Sequence, residues 1–130
     1  MILDASAIVS MILGEPSSRQ LLSQLGTADI VAAGAPTLVE AAMVLSARLK
    51  RDARPLLHAF FREMDLEVVP FSEEHYEIAI EAFQRFGKGR HPAALNFGDC
   101  LTYAVARLSQ LPLLCTGNDF PKTDLLIAGR

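Results

Sequence analysis

The sequence predicts an α/β domain in which a mostly parallel sheet carries helices on both faces, a three-layer α/β/α arrangement. Two observations predict it. Short apolar runs alternate along the chain with longer amphipathic stretches of helical period. The runs are apolar nearly throughout, as strands covered on both faces are. A length of 130 residues, 51% of them hydrophobic and 21% charged, suits one globular domain spanning 1–130 with a single sheet at its centre.

Ile2 to Asp4 reads as a short buried strand, and Ala5 to Leu13 as a helix broken by Gly14-Glu15-Pro16. A second helix runs from Ser17 to Leu25, with Leu21, Leu22 and Leu25 at helical spacing. Gly26 stops it, and Asp29 to Ala33 follows as a strand. Pro36 suits the first turn of a long helix ending near Arg51. Asp52 is expected to cap the next helix, whose stripe is Leu56, Leu57, Phe60, Phe61 and Met64. Leu66 to Val69 is a third strand, closed by Pro70. Ser72 caps another helix, with Glu73 and Glu74 at its positive end and Tyr76, Ala79, Ile80, Phe83 and Phe86 as its expected buried face. A loop from Gly87 to Phe97 leads into a helix from Gly98 to Ser109, and Leu113 to Cys115 forms a fourth strand.

Composition narrows the function classes. A formal charge of −3 argues against a protein that coats nucleic acid by bulk electrostatics. Charge is nevertheless uneven, since Ala82 to Gly98 contains no acid while holding Arg85, Lys88, Arg90 and His91. The two cysteines form neither a disulfide framework nor a zinc motif, and no membrane span or signal peptide is read, so a cytoplasmic protein is expected. Dinucleotide, P-loop and nucleophile-elbow motifs are all missing.

Four carboxylates lack a local cation. Asp4 ends the first strand, Asp119 follows the fourth, and Glu40 and Asp99 fall in the opening turns of helices. In a parallel sheet all four positions lie at the carboxyl edge, where ligands collect. Each also has an ordinary explanation: helix capping for Asp4, solvation for Glu40, dipole stabilisation for Asp99 and turn formation for Asp119. Gathered together they would repel one another unless a cation entered, and oxygen ligands alone suit Mg²⁺ or Mn²⁺. Ser6, Asn96 and Thr116 adjoin these acids and could orient ligands or water.

LDASAI, PTLVEAA, GKGRHPAALNFGDCLTYAVA and LLCTGNDFPKTDL together resemble a PIN domain of the VapC kind, the toxin half of a bacterial type II toxin–antitoxin pair. The resemblance runs the whole chain. It implies a metal-dependent endoribonuclease with Asp4, Glu40, Asp99 and Asp119 as the acidic quartet. It further implies a fifth strand near Leu125 to Ala128, dimerisation, and neutralisation by a cognate VapB antitoxin. TGNDF departs from many relatives, carrying Gly117 where they have a further acid; Asp124 is a more remote candidate.

The implied reaction is hydrolysis of RNA, such as a transfer or ribosomal RNA, at one or two ions held mainly by Asp4 and Asp99 with Glu40. Arg85, Lys88, Arg90 and His91 are placed to meet phosphates. Two other readings remain at this stage. One is an aspartyl-phosphate enzyme using Asp4 as nucleophile. The other is a non-catalytic module binding antitoxin or RNA.

Overall fold

In the computed structural model, which describes residues 1–130, the sheet is built from very short strands. They are β1 (Ile2–Leu3), β2 (Ala32–Gly34), β3 (Glu67–Val69) and β4 (Leu113–Leu114), all parallel in the order β3-β2-β1-β4. The expected fifth strand is reduced to a parallel bridge between Ile127 and Leu113, with the Leu113 N–H donating to Leu126 O and the Ala128 N–H to Leu113 O, both at 2.8 Å.

The strand period of two sorts the core into two halves. Leu3, Ala33 and Leu114 face one layer, which holds α1 (Ala5–Leu13), α2 (Ser18–Leu25), α3 (Ala35–Leu49) and α4 (Arg54–Met64). Ile2, Ala32 and Leu113 face the other, which holds α5 (Glu73–Phe86) and α6 (Phe97–Ser109). Ile2, Leu3, Leu113 and Leu114 are almost wholly buried, each worth about 1.5–3 kcal/mol of transfer free energy. The two residues of β1 and the two of β4 thus each send one side chain into either half of the core.

The helix boundaries follow the local chemistry, with two differences. Helix α4 begins after Ala53 rather than Asp52, and Asp52 instead accepts from the Arg54 N–H at 3.0 Å while pairing with its guanidinium. On α5 the expected buried face is rotated. His75, Ala79, Ala82 and Phe86 are buried, whereas Tyr76, Ile80 and Phe83 are about half exposed. Alanines at the contact let α5 approach α6 closely, and the bulky stripe beside them is left facing out.

Edges position the acids. Because β1 and β4 run parallel, Asp4 and Thr116 emerge side by side, with the Asp4 N–H still donating to Leu114 O at 3.0 Å. Helix α3 follows β2 directly and presents Glu40 at the same edge, while α6 brings Asp99 in its first turn.

Candidate active site

Asp4 is the N-cap of α1, in extended backbone (φ −82°, ψ 157°), and only 7% exposed. Its Oδ2 accepts from the Ser6 N–H at 3.1 Å and from the Ser6 hydroxyl at 2.6 Å. The same hydroxyl accepts from the Thr116 N–H at 3.1 Å, so Ser6 ties the acid to the chain leaving β4. Asp99 is the third residue of α6 and closes a capping box with the N-cap Asn96. Its Oδ2 accepts from the Asn96 N–H at 3.0 Å, and its own N–H donates to Asn96 Oδ1 at 2.9 Å. The second oxygen of each carboxylate takes no hydrogen bond, and no buried side-chain polar atom is left without a partner. Each carboxylate therefore keeps one oxygen uncommitted, and both residues line the same cleft.

Asp4, Glu40 and Asp99 line one cleft of about 260 Å³, together with Ser6, Val9, Glu15, Val44 and Thr116. The ion pairs of the molecule lie elsewhere, at Asp52, Glu81 and Asp124. Burial pushes the Glu40 carboxyl above the usual range, and the charges of Asp4 and Asp99 push it further. Burial also raises Asp99; the Asn96 N–H opposes this, and Asp4 and Asp119 add to it. Carboxylates that burden one another without a cation, each with an oxygen to spare, match the oxygen-only ligand set of a hard divalent ion. As placed, no three of them form a closed ligand cluster. Neither cysteine lines this cleft, and burial lifts the Cys100 and Cys115 thiols to about 11.

The other expected residues divide. Ser6 and Thr116 line the cleft, and Asn96 borders an adjoining groove beside Glu40. Asp119 is exposed ahead of the 3-10 turn Phe120–Lys122 and outside the cleft lining, though its charge reaches Asp99. Arg85 is engaged by Asp124 at 3.2 Å and lies over the Phe86 ring. His91 packs edge-on against Phe86 while its Nδ1 accepts from the Ala93 N–H at 3.0 Å. Arg90 stacks on Phe83, and Lys88 is exposed. Asp124, the remote candidate, is turned away by its bonds to Tyr103, Arg85 and Arg107.

Two contributors escape a sequence reading. Glu15 joins the cleft from the break between α1 and α2, where a Gly-Glu-Pro turn gives no sign of it. Gly98 packs against the Glu40 carboxylate. Beside the cleft lies an apolar surface on which Phe97 is 81% exposed and Met43 68%. It continues over Leu101 into a wholly apolar groove of about 600 Å³ containing Tyr76, Ile80 and Phe83.

Comparison with known proteins bears on the family and the fold. A family model described as PIN domain matches residues 1–126. Ribonuclease VapC36 of Mycobacterium tuberculosis is 46% identical over 130 residues, covering 99% of this chain and 94% of the relative. Ribonuclease VapC28 of the same organism is 36% identical over 124 residues, covering 95% and 93%. Among solved structures, M. tuberculosis VapC20, a sarcin-ricin loop cleaving toxin, superposes with a TM-score of 0.77 at 18% identity, covering 96% of this chain and 95% of that one. VapBC2 of Rickettsia felis, bound to a DNA fragment from its promoter, gives 0.75 at 19% identity, covering 97% and 94%.

Proposed function

The chain belongs to the PIN domain family, among its VapC ribonucleases, and from that premise we propose that it is an endoribonuclease toxin working at the cleft of Asp4, Glu40 and Asp99, restrained by a VapB-type antitoxin. The observation that carries this reading is the convergence of three carboxylates from three separate elements on one cleft with no basic partner. A single domain spanning 1–130 supplies all of them.

Asp4, Asp99 and Glu40 are the residues that would hold Mg²⁺ or Mn²⁺. Such an ion, when bound, supplies Lewis acidity toward a phosphodiester and acidifies a bound water. The protein's own contribution is pre-organisation. Ser6 fixes Asp4 and Asn96 fixes Asp99, each through one oxygen, which leaves the other directed by bonds already made. Their positions at the amino ends of α1 and α6 offset part of the mutual repulsion. Asp119 adds negative charge near Asp99 and acts at longer range. Lys88 and Arg90 are the cations free to meet RNA phosphates, whereas Arg85 and His91 brace the loop.

The exposed apolar surface from Met43 through Phe97 to Phe83 supports the partner reading, because a contiguous patch of this kind marks a protein interface. An antitoxin and a second copy of the chain are its expected occupants. No helix of the molecule is long and apolar enough to cross a membrane.

The test is incubation of antitoxin-free protein with total cellular RNA, with and without Mn²⁺, beside Asp99→Asn. Cleavage is expected only for the unaltered protein with the ion, with a loss of at least about 100-fold in the variant. Equal cleavage by Asp99→Asn would sink the assignment of the site.

A further inference from the structure

Gly98 occupies the second position of α6, between Phe97 and Asp99, in right-handed helical backbone that any L residue adopts. Alanine would be the better helix former there, so backbone freedom does not explain the glycine. Space does. A Cβ at residue 98 would stand 2.5 Å from Glu40 Oε1, 3.1 Å from its Cδ and 3.3 Å from its Oε2.

No hydrogen bond or ion pair restrains the Glu40 side chain, in contrast to Asp4 and Asp99. Its carboxylate is located by lying against the bare backbone of the first turn of α6, whose dipole favours an anion. The distance between the helices that carry Glu40 and Asp99 is itself fixed, one turn further in, by the Thr37 and Thr102 hydroxyls at 3.0 Å. What the helices leave open, the missing side chain at 98 decides.

We propose that Gly98 is a positioning residue of the nuclease site, whose absent Cβ lets the Glu40 carboxylate rest beside Asp99. The inference rests on the reading of Glu40 as a working acid of the cleft. The nearest atoms that a methyl group at 98 meets belong to the far end of a flexible side chain, so the fold accommodates it and Glu40 swings away.

The experiment uses the full chain with Gly98→Ala, Glu40→Ala and the double variant. Mn²⁺ affinity is measured by titration calorimetry, RNA cleavage by initial rates, and folding by thermal melts. Gly98→Ala is expected to fold, to bind Mn²⁺ roughly 5-fold or more weakly, and to lose on the order of 10–100-fold in kcat with KM little changed. On the Glu40→Ala background, the remaining Mn²⁺ affinity, held by Asp4 and Asp99, is expected to be indifferent to Gly98→Ala. Wild-type affinity and kcat in Gly98→Ala overturn the proposal and leave the ribonuclease reading intact. The same fold-loss of affinity on both backgrounds also overturns it, because residue 98 then acts through α6 and not through Glu40. Absence of both Mn²⁺ binding and RNA cleavage in the unaltered protein overturns the ribonuclease reading, and this inference with it.

Discussion

Thr37 and Thr102 offer the sharpest stability test of how the site is held. They lie 65 residues apart in sequence, 3% and 1% exposed, with their Oγ1 atoms 3.0 Å apart where α3 crosses α6. Each is three residues from an acid, Glu40 on one helix and Asp99 on the other. Thr102→Val keeps the shape and removes one hydroxyl, stranding the other in a dry contact at a cost of about 1–3 kcal/mol. With an unfolding entropy of about 2.1 cal/mol/K per residue, a chain of this length loses roughly 4 °C of Tm per kcal/mol, a fall of roughly 4–11 °C. Thr37→Val should behave alike, and the double variant should regain most of the loss because no unpaired hydroxyl remains. Differential scanning calorimetry of the three variants checks this. A Thr102→Val Tm equal to wild type, or a double variant as unstable as the two single losses added, would refute the account of a shared buried pair.

Two further outcomes concern charge. Burial and their like-charged neighbours raise Glu40 and Asp99 in the folded state, so the native protein binds more protons there than the unfolded chain, and this share of stability falls as pH rises past the unfolded carboxylate range. Metal-free melts should therefore show Asp99→Asn gaining on wild type at pH 7.5 by roughly 0.5–2 kcal/mol and little at pH 4, while Mn²⁺ stabilises only wild type; a pH-independent difference contradicts the repulsion argument. For RNA binding measured on the inactive Asp99→Asn background, Arg90→Gln should reduce the log Kd against log salt slope by about 0.7–0.9, whereas Arg85→Gln, losing its Asp124 contact, should leave the slope alone and cost about 0.2–1 kcal/mol of stability. An unchanged slope in Arg90→Gln removes that residue from the RNA path.

The layer order was legible because strand and helix periods differ, and residues such as Leu3 and Leu114 have no reading other than burial. The orientation of α5 was not. A stripe at 76, 80 and 83 and another at 75, 79, 82 and 86 both satisfy helical spacing, and periodicity identifies an apolar face without saying what covers it. Close packing against α6 selected the alanine face. The fifth strand near Leu125 to Ala128 came from the family resemblance and not from periodicity, because one bridging residue, Ile127, leaves no period to detect. Glu15 enters the cleft, and Gly98 meets the Glu40 carboxylate from the adjoining groove, through tertiary contact alone, which single-sequence spacing does not encode.

Asp4 and Asp99 also show why helix capping and metal binding need not be competing explanations for one carboxylate. Each capping task needs a single acceptor oxygen: Oδ2 of Asp4, the N-cap of α1, accepts from the Ser6 N–H, and Oδ2 of Asp99, the third residue of α6, accepts from the N–H of the N-cap Asn96. An asparagine at 4 or a glutamine at 99 would make the same bond, so the cap accounts for a polar residue at these positions, and the helix dipole favours an acid there by only about 0.3–1 kcal/mol. The acid becomes necessary only if the second oxygen carries charge into the cleft. Capping then has a consequence for function, because it removes the rotational freedom of the carboxylate before any ligand arrives and so lowers the entropy lost on binding. Glu40 lacks such a bond, which is why its placement depends on the contour of α6 at Gly98.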